Sequence, residues 1–200
     1  GFGPIVEGSS PSPPAINIKM NVSGVILAAG KGTRMKSNIP KVLHPVSGKK
    51  LVLYALEVIE DINTKYIVVG HEAEKVIEAV PDSLNVVIQE EQKGTGHAIS
   101  ILLDDKKFAN DTSEYILVLP GDVPMINRDD IKNLIKKVID SNSSIGFLSS
   151  KVSNPFGYGR VIQQEGQIKI VEEKDCTEDE RLINEINSGI YCFEKKFLHE

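Results

Sequence analysis

The segment AAGKGTRMKSNIPK at 28–41 carries residue types that could hold a chain of phosphates. Gly30 and Gly32 allow backbone torsions and a close approach that other residues forbid, so their N–H groups can face a phosphate. The segment contains no acidic residue, and four cations lie within eleven positions: Lys31, Arg34, Lys36 and Lys41. In a chain of net charge −5, this local excess favours a polyphosphate ligand over an ordinary exposed basic loop.

The glycine spacing of this segment excludes two common phosphate-binding motifs. The sequence has no GxxxxGK[ST], so the segment is not a P-loop. Met35 stands where the third glycine of the dinucleotide-binding GxGxxG motif belongs, so that motif is absent as well.

A second glycine-rich segment, QEEQKGTGHA at 89–98, places the hydroxyl of Thr95 between Gly94 and Gly96. Gln89 stands at the end of a predicted strand, and its amide can both donate and accept hydrogen bonds, as recognition of a nucleotide base requires. The alternative is a simple glycine-rich turn from strand to helix. His97, like His71, lacks the spacing of a metal ligand, and we assign neither residue a chemical role.

A third segment, PGDVP at 120–124, places Gly121 and Asp122 just after a hydrophobic strand. Mg²⁺ is usually held by one or two carboxylates while the phosphates of the substrate complete its shell, which suits a lone aspartate. Taken alone, Asp122 could equally be a turn residue. Beside the other two segments, it is predicted to be the metal ligand, with Mg²⁺ as the cofactor.

Further along the chain, NPFGYGR at 154–160 combines a turn with aromatic residues. Glu172 and Asn187 lie on or near predicted strands. Either side chain could hydrogen-bond the hydroxyls or the acetamido group of a sugar, and either could instead be a solvated surface residue.

Short apolar runs alternate with amphipathic segments from Val22 onward. Strands are predicted at 22–27, 65–69, 85–89 and 115–119, and helices at 51–60, 72–80, 95–103 and 127–140. Asn127 is the predicted N-cap of the last helix. This alternation predicts an α/β domain with a doubly wound, mostly parallel sheet, whose ligands bind beyond the carboxyl ends of the strands. The three loops described above all follow such ends.

The pattern changes after about residue 144. SIGFLSS predicts a strand, RVIQQEGQIKIVEE a hairpin that turns at Glu165 and Gly166, and EINSGIYCF at 185–193 a further strand. We expect these elements to form a smaller mixed-sheet lobe that binds the sugar.

Composition limits the remaining possibilities. The net charge of −5 gives no basic footprint, so no nucleic-acid partner is predicted. No apolar stretch approaches the roughly 20 residues of a membrane span, so no membrane partner is predicted either. The two cysteines, Cys176 and Cys192, lack zinc-like spacing and are expected to be reduced thiols in a cytoplasmic protein. The first 19 residues, rich in Gly, Ser and Pro, are expected to be a linker, with the domain at 20–200.

Together these motifs resemble the uridylyltransferase domain of the GlmU family of bacterial bifunctional enzymes, which join N-acetylglucosamine-1-phosphate to UTP. The resemblance runs from about Val22 to the end of the chain. Its most specific matches, in order, are LAAGKGTRM, PKVLH, QKGTGHA, GDVP, FGYGR, IVEEKD and EINSG. The first, followed by PK, is shared with sugar nucleotidyltransferases in general and with cytidylyltransferases of isoprenoid synthesis, whereas GTGHA with GYGR and EINSG is typical of the hexosamine branch.

The resemblance implies the nucleotide-diphospho-sugar transferase fold, which is Rossmann-like, and a role for each matched residue. Arg34 and Lys41 would be catalytic and grip the triphosphate, and Asp122, next to Gly121, would bind Mg²⁺. The uridine would contact Leu27, Ala28, Ala29, Gly30, Gln89, Gly94 and Thr95. The sugar would contact Gly159, Glu172 and Asn187. The product, UDP-N-acetylglucosamine, would serve the synthesis of cell-wall and lipopolysaccharide precursors.

The chain also departs from the family pattern. Pro120 replaces a small polar or aromatic residue, so no side-chain contact with a ligand is expected there. The family's domain continues past Glu200 and supplies a second metal ligand, an Asn, before a β-helix acetyltransferase domain that holds the family's trimers together. We therefore expect a monomeric fragment. A transferase for another sugar or base, and a non-catalytic module that binds nucleotide sugars, stay open as alternatives.

Overall fold

Strand β1 (Val22–Ala28) lies in the middle of the sheet and is buried along nearly its whole length. In this computed structural model, which describes residues 21–199 apart from positions 31, 33, 34, 36 and 38, β1 pairs in parallel with one strand on each side. The remaining strands are β2 (Pro45–Val46), β3 (Lys49–Lys50), β4 (Thr64–Val69), β5 (Asn85–Ile88), β6 (Tyr115–Pro120), β7 (Ile145–Lys151), β8 (Arg160–Gln164), β9 (Gln167–Val171) and β10 (Glu185–Glu194).

Six α-helices connect these strands in the described part of the chain. They are α1 (Leu51–Val58), α2 (Ala73–Ile77), α3 (Thr95–Asp104), α4 (Lys106–Ala109), α5 (Arg128–Asp140) and α6 (Glu178–Arg181). None of the helices in the described ranges is both long enough and apolar enough to cross a bilayer.

The sheet has the strand order β5-β4-β1-β6-β10-β8-β9, and β7 also pairs with β10. Its first four strands are parallel, whereas β10 runs antiparallel to β6. The chain moves outward from β1 to β5 and then returns to the other side of β1 as β6. This reversal opens a crevice at the carboxyl ends of the strands, as in other doubly wound sheets.

Alternate residues of the buried strands pack on opposite faces of the sheet, which produces two cores. Ile26 of β1 belongs to the core formed with α1, α2 and α5. Val25 belongs to the core formed with α3 and α4, where Tyr66 and Phe108 pack edge to face with ring centroids 5.0 Å apart. The doubly wound α/β architecture predicted from the sequence is therefore confirmed.

Helix α5 illustrates why the local predictions held. The side chain of Asn127 accepts a hydrogen bond from the N–H of Asp129 at 2.8 Å, as an N-cap does. The helix buries Ile131, Leu134 and Ile135, which recur at helical spacing.

The later strands join the main sheet through β10 and make it mixed. The β8–β9 hairpin turns at Glu165 and Gly166, both with positive φ, as a tight two-residue turn requires. The predicted helix at 72–80 spans only Ala73–Ile77. The sequence did not predict helix α4, helix α6 or the β2–β3 hairpin, because each is too short to show a periodic pattern. The expected linker at 1–19 lies outside the described residues.

Both cysteines are free and buried. Burial raises the pKa of the Cys192 thiol to about 12 and also raises the pKa of Cys176. Both are therefore protonated and unreactive at neutral pH, in agreement with the predicted reduced thiols.

Candidate active site

A cleft of about 510 Å³ opens at the carboxyl ends of β1, β5 and β6. Six of the predicted nucleotide-binding residues line one side: Leu27, Ala29, Gly30, Gln89, Gly94 and Thr95. Glu172 and Asn187, predicted to bind the sugar, line the other side. Segments that are distant in the sequence therefore meet in one place. Ala28, by contrast, is buried in the core on the far face of β1.

The first loop is anchored by the backbone of its neighbours. The carbonyl of Leu27 accepts a hydrogen bond from the N–H of Gly121 at 2.9 Å, and that of Ala29 accepts one from His71 at 3.4 Å. A side chain at Gly30 would meet open space, so the protein itself does not require glycine there. Gly32 differs, because its φ of 60° lies in the left-handed region that favours glycine.

Lys41 and Asp122 form an ion pair, but neither residue is among those that line the cleft. Lys41 begins a short 3₁₀ helix, Lys41–Leu43, and its Nζ lies 2.6 Å from Oδ2 of Asp122. The side chains are 44% and 25% exposed, so both are open to solvent and to a ligand. The backbone packs tightly just before Asp122, because a side chain at Gly121 would come within 3.1 Å of the Leu27 carbonyl.

The donor set at Asp122 fits the predicted Mg²⁺. Its carboxylate already holds a cation, the ammonium group of Lys41. Within the described ranges, no group of three or more His, Cys, Asp or Glu residues could enclose a metal ion. A hard cation at Asp122 would therefore depend on phosphate oxygens and water for its other ligands, which is how Mg²⁺ is commonly held.

Gln89 follows β5 and is only 2% exposed. Its Nε2 lies 2.8 Å from Nδ1 of His97 and 3.4 Å from the carbonyl oxygen of Gly94. The sequence analysis gave His97 no role and did not foresee that its imidazole hydrogen-bonds Gln89, the residue predicted to read the base. A hydrogen bond between two side chains cannot be predicted from the spacing of residues in a motif.

Gln92 and Gly70 were also missed. The Gln92 amide donates hydrogen bonds to the carbonyls of Gln89 and Glu90, at 3.0 and 3.1 Å, and so fixes the end of β5. A side chain at Gly70 would come within 2.8 Å of the Gln89 carbonyl and 3.0 Å of Cβ of Ala29. Gly70 is therefore the point at which the first and second loops pack together. A glycine after a strand is common, and nothing in the sequence distinguished this one.

Gly159, Glu172 and Asn187, the residues predicted to bind the sugar, lie close together. The Asn187 N–H donates to the Gly159 carbonyl at 2.9 Å, and a side chain at Gly159 would lie 3.3 Å from Oε1 of Glu172. The Asn187 side chain is held at both ends. Its Nδ2 donates to the hydroxyl of Tyr191 at 2.6 Å, and its Oδ1 accepts from the N–H of Gly189 at 3.0 Å.

Tyr191 also lines the cleft and was not predicted. Burial raises the pKa of its hydroxyl, the hydrogen bond from Asn187 opposes this, and the charge of Glu172 raises it again. The net effect is a raised pKa, so Tyr191 is a neutral group at physiological pH. Because the hydroxyl accepts from Asn187, its own proton can be donated elsewhere.

A β-bulge in β10 brings Asn187 and Tyr191 to the cleft. The pairing of β10 with β7 shifts register between these two residues, and Gly189 within the bulge has a φ of 78°. Bulges re-aim side chains in this way next to many active sites. Pro120, from which no contact was expected, lines the cleft opposite Gly189.

An ion pair holds the 154–160 loop. Arg160, whose side chain is 2% exposed, lies 2.7 Å from Oε2 of Glu173 and also donates to the Tyr158 carbonyl. The N–H of Gly157 and the Arg160 guanidinium lower the pKa of Glu173. The neighbours of this pair, Gly159 and Glu172, are thereby positioned at the cleft.

The predicted catalytic residue Arg34 lies outside the described residues, as do Lys31 and Lys36. Of the four cations of the first loop, the structure therefore describes Lys41.

A doubly wound sheet with a glycine-rich loop after its central strand β1, an amide after the edge strand β5 and a carboxylate after β6 has the arrangement of a nucleotidyltransferase domain. The solved structures agree on the fold. A Bacillus anthracis protein described as a glucose-1-phosphate thymidylyltransferase, in complex with sucrose, superposes with a TM-score of 0.72. It covers 89% of this chain and 73% of its own, at 20% sequence identity.

The chain belongs to the family of MobA-like NTP transferase domains, whose family model matches residues 24–167. Curated relatives carry the name bifunctional protein GlmU. The protein from Clostridioides difficile is 43% identical over 185 residues, 90% of this chain and 39% of its own length. Those from Prochlorococcus marinus and Clostridium novyi are both 46% identical, over 84% and 90% of this chain. The chain thus spans about two fifths of the length of these relatives.

Proposed function

We propose that this domain transfers a uridylyl group from UTP to N-acetylglucosamine-1-phosphate, forming UDP-N-acetylglucosamine and pyrophosphate. The observation that carries the proposal is the single cleft lined by Gln89 and Thr95 on one side and by Glu172 and Asn187 on the other. A nucleotide and a sugar phosphate could lie end to end there. The likeness to proteins named GlmU over most of the chain supports the choice of substrates.

The uridine would bind between the first two loops. Ala29 and Gly30 offer backbone groups at the carboxyl end of β1, and Gln89 offers a side-chain amide from the end of β5. The open space at Gly30 and Gly94 would allow the nucleoside to approach the backbone. The base would then lie against Gln89, with the phosphates directed toward Lys41 and Asp122.

The sugar would bind between the 154–160 loop and β10. The carboxylate of Glu172 can accept hydrogen bonds from sugar hydroxyls, and the backbone of Gly159 lies beside it. Asn187 and Tyr191 form a hydrogen-bonded pair on the same wall. An acetamido group offers one donor and one acceptor, which such a pair can match.

The reaction would need no general base, because the attacking phosphate oxygen is already ionised at neutral pH. This oxygen attacks the α-phosphorus of UTP, and the bond from that phosphorus to the β-phosphate oxygen breaks in line as pyrophosphate leaves. Lys41 and Arg34 would face the negative charge that grows on the phosphates. Catalysis of this kind depends on positioning and on fixed charges.

Asp122 would hold Mg²⁺ beside the phosphates, and the ion would supply neutralisation of their charge. Lys41 would turn from Asp122 to the phosphates, whose negative charge its ammonium group can pair. The short distance between Lys41 and Asp122 keeps both charges compensated until the nucleotide arrives.

The test is pyrophosphate release with UTP, N-acetylglucosamine-1-phosphate and Mg²⁺, compared with a panel of other sugar phosphates and nucleoside triphosphates. We expect the highest kcat/KM for UTP with N-acetylglucosamine-1-phosphate. The Asp122→Asn protein, purified in the same way, controls for contaminating enzymes. A clear preference for another pair would assign the domain to a different transferase reaction. Binding of the nucleotide sugar without any turnover would instead identify a non-catalytic binding module.

A further inference from the structure

We propose that His97 is a positioning residue that fixes the orientation of the Gln89 amide and thereby selects uracil over cytosine. This inference rests on the proposed function, because it assumes that the base of the nucleotide lies against Gln89. It concerns how the amide is oriented before any nucleotide binds.

The Gly94 carbonyl shows which atom of the Gln89 amide is the nitrogen, but a contact of 3.4 Å is too long to hold the amide by itself. A carbonyl oxygen can only accept, so the atom of Gln89 that lies 3.4 Å from it must be the nitrogen. The amide is buried, since Gln89 is 2% exposed, and the shorter contact of the same nitrogen is the one that holds it.

The same nitrogen lies 2.8 Å from Nδ1 of His97. An amide nitrogen cannot accept a hydrogen bond, so Nδ1 must be the acceptor and the proton of the neutral imidazole must be on Nε2. Both N–H groups of the Gln89 amide are then used within the protein. His97 can serve in this way because it lies in the first turn of α3, two residues after Thr95.

The remaining polar atom of the amide is the oxygen, Oε1. It has no hydrogen-bond partner in the described part of the chain, and Gln89 lines the cleft. An oxygen presented to the base accepts a hydrogen bond from the N3–H of uracil. It repels the unprotonated N3 of cytosine, which is itself an acceptor. A rigid amide therefore favours uracil, whereas an amide that can turn over also accepts cytosine through its NH₂ group.

Two substitutions of similar size separate the acceptor role of His97 from its volume. In His97→Asn, the amide oxygen of the new side chain can replace Nδ1 as the acceptor. In His97→Leu, no acceptor is present. The measurement is the ratio of the dissociation constants for CTP and UTP, obtained by calorimetry with Mg²⁺. We expect His97→Leu to lower this ratio at least about tenfold, the scale of one hydrogen bond in a specificity site, and His97→Asn to keep it within about threefold of wild type.

His71→Leu is the matched control, because it makes the same change at an exposed histidine near the cleft. Thermal melts of all variants identify any that do not fold. The inference is overturned if the ratio of the CTP and UTP dissociation constants is unchanged in folded His97→Leu. It is also overturned if this ratio falls about tenfold in folded His97→Asn. If wild-type protein binds neither nucleotide, the proposed function itself fails, which is a distinguishable result.

The tautomer gives a test that needs no nucleotide and no variant. Two-dimensional ¹⁵N–¹H spectra of the imidazole of His97 in the unliganded protein should show the Nε2–H tautomer. A proton on Nδ1 would overturn the inference, because the Gln89 nitrogen could not then be its partner.

Discussion

At the scale of single residues, the pair of Lys41 and Asp122 connects stability with function. The ion pair joins two side chains that are both partly open to solvent, and such pairs contribute about 0–1 kcal/mol to folding. Its value to the protein therefore lies elsewhere. In the proposed reaction, each residue would exchange the other for a new partner: Lys41 for the phosphates and Asp122 for the metal ion.

Replacing Asp122 with Asn should separate these roles. The variant loses a charge that the proposed reaction needs, so we expect kcat/KM to fall about 100-fold or more. The melting temperature should change by no more than about 2 °C, because a solvent-exposed pair contributes little to folding. Pyrophosphate release over a range of Mg²⁺ concentrations and a thermal melt measure the two effects. Asp82→Asn, the same change at an exposed position before β5, is the control, and wild-type turnover in Asp122→Asn would refute the role.

The hydroxyl of Tyr191 leads to a second prediction at this scale. In Tyr191→Phe the ring still stacks on Phe193, whose centroid is 5.5 Å away, so packing is preserved. The variant loses a hydroxyl that can donate to the sugar and leaves Nδ2 of Asn187 without its partner. We expect KM for the sugar phosphate to rise about tenfold and KM for UTP to change less than about twofold.

Steady-state kinetics with each substrate varied in turn measure both constants for Tyr191→Phe. Tyr115→Phe, at the far end of β6 from the cleft, is the matched control. Equal increases in both values of KM would argue for general disruption of the cleft rather than a contact with the sugar.

Only some of the residues of the site could be predicted from the sequence. Gln89, Thr95 and Glu172 could be predicted to line the site because each stands at a strand end or in a motif that resembles a known family. His97 and Tyr191 could not, since what distinguishes each is a hydrogen bond to another side chain of the cleft. Such a role depends on a three-dimensional contact that no spacing rule encodes.

At the scale of elements, the parallel strands were predictable because each is a continuous apolar run. Residues Ile116 to Leu119 of β6 are buried on both faces of the sheet, which leaves no room for polar alternation. The bulge between Asn187 and Tyr191 was not predictable. It depends on the pairing of β10 with β7 and on space beside Pro120, which are properties of the assembled sheet.

The prediction at the scale of elements concerns Gly70, the residue that follows β4. In Gly70→Ala the new methyl group would lie 2.8 Å from the backbone oxygen of Gln89, and a backbone atom cannot move aside cheaply. We expect the free energy of unfolding to fall by about 1–3 kcal/mol and UTP to bind more weakly, because the strand end that carries Gln89 is displaced. Urea unfolding and calorimetry measure these effects.

Gly96→Ala is the matched control for Gly70→Ala. It lies inside α3, where a methyl group would meet nothing within 4 Å. There the change should leave stability the same or raise it by up to about 1 kcal/mol, because alanine favours the helix. If both alanine variants behaved alike, the packing role of Gly70 would be wrong.

At the scale of the whole molecule, the two ends of the parallel strands differ in their role. The cleft lies at their carboxyl ends. At their amino ends, a polar cluster around Asp111 joins the neighbouring segments. Its Oδ2 accepts hydrogen bonds from the hydroxyls of Ser23 at 2.5 Å and Tyr66 at 3.0 Å, and its Oδ1 accepts from the N–H of Ser113 at 2.7 Å. Three segments of the chain are joined there.

This cluster makes folding stability depend on pH. Burial by itself would raise the pKa of Asp111, but the hydrogen bonds from Ser113, Ser23 and Tyr66 to the carboxylate outweigh it and hold the pKa below its usual range. Because the folded pKa is lower than the unfolded pKa, the carboxylate stabilises the folded state. This contribution is fully present above the ordinary Asp pKa of about 3.9 and is lost as the pH falls through the lower, folded value.

Asp111→Asn should therefore destabilise the protein at pH 7 and matter less in acid. At pH 7 we expect a loss on the order of 1–2 kcal/mol in the free energy of unfolding, the scale of hydrogen bonds to a charged group. As the pH falls below about 4, toward the lower folded pKa, the difference from wild type should shrink, since protonated Asp111 is itself neutral. Urea unfolding of both proteins at these pH values measures the difference. Asp82→Asn should show no such convergence, and a constant difference for Asp111→Asn across the range would mean that its charge does not stabilise this edge of the sheet.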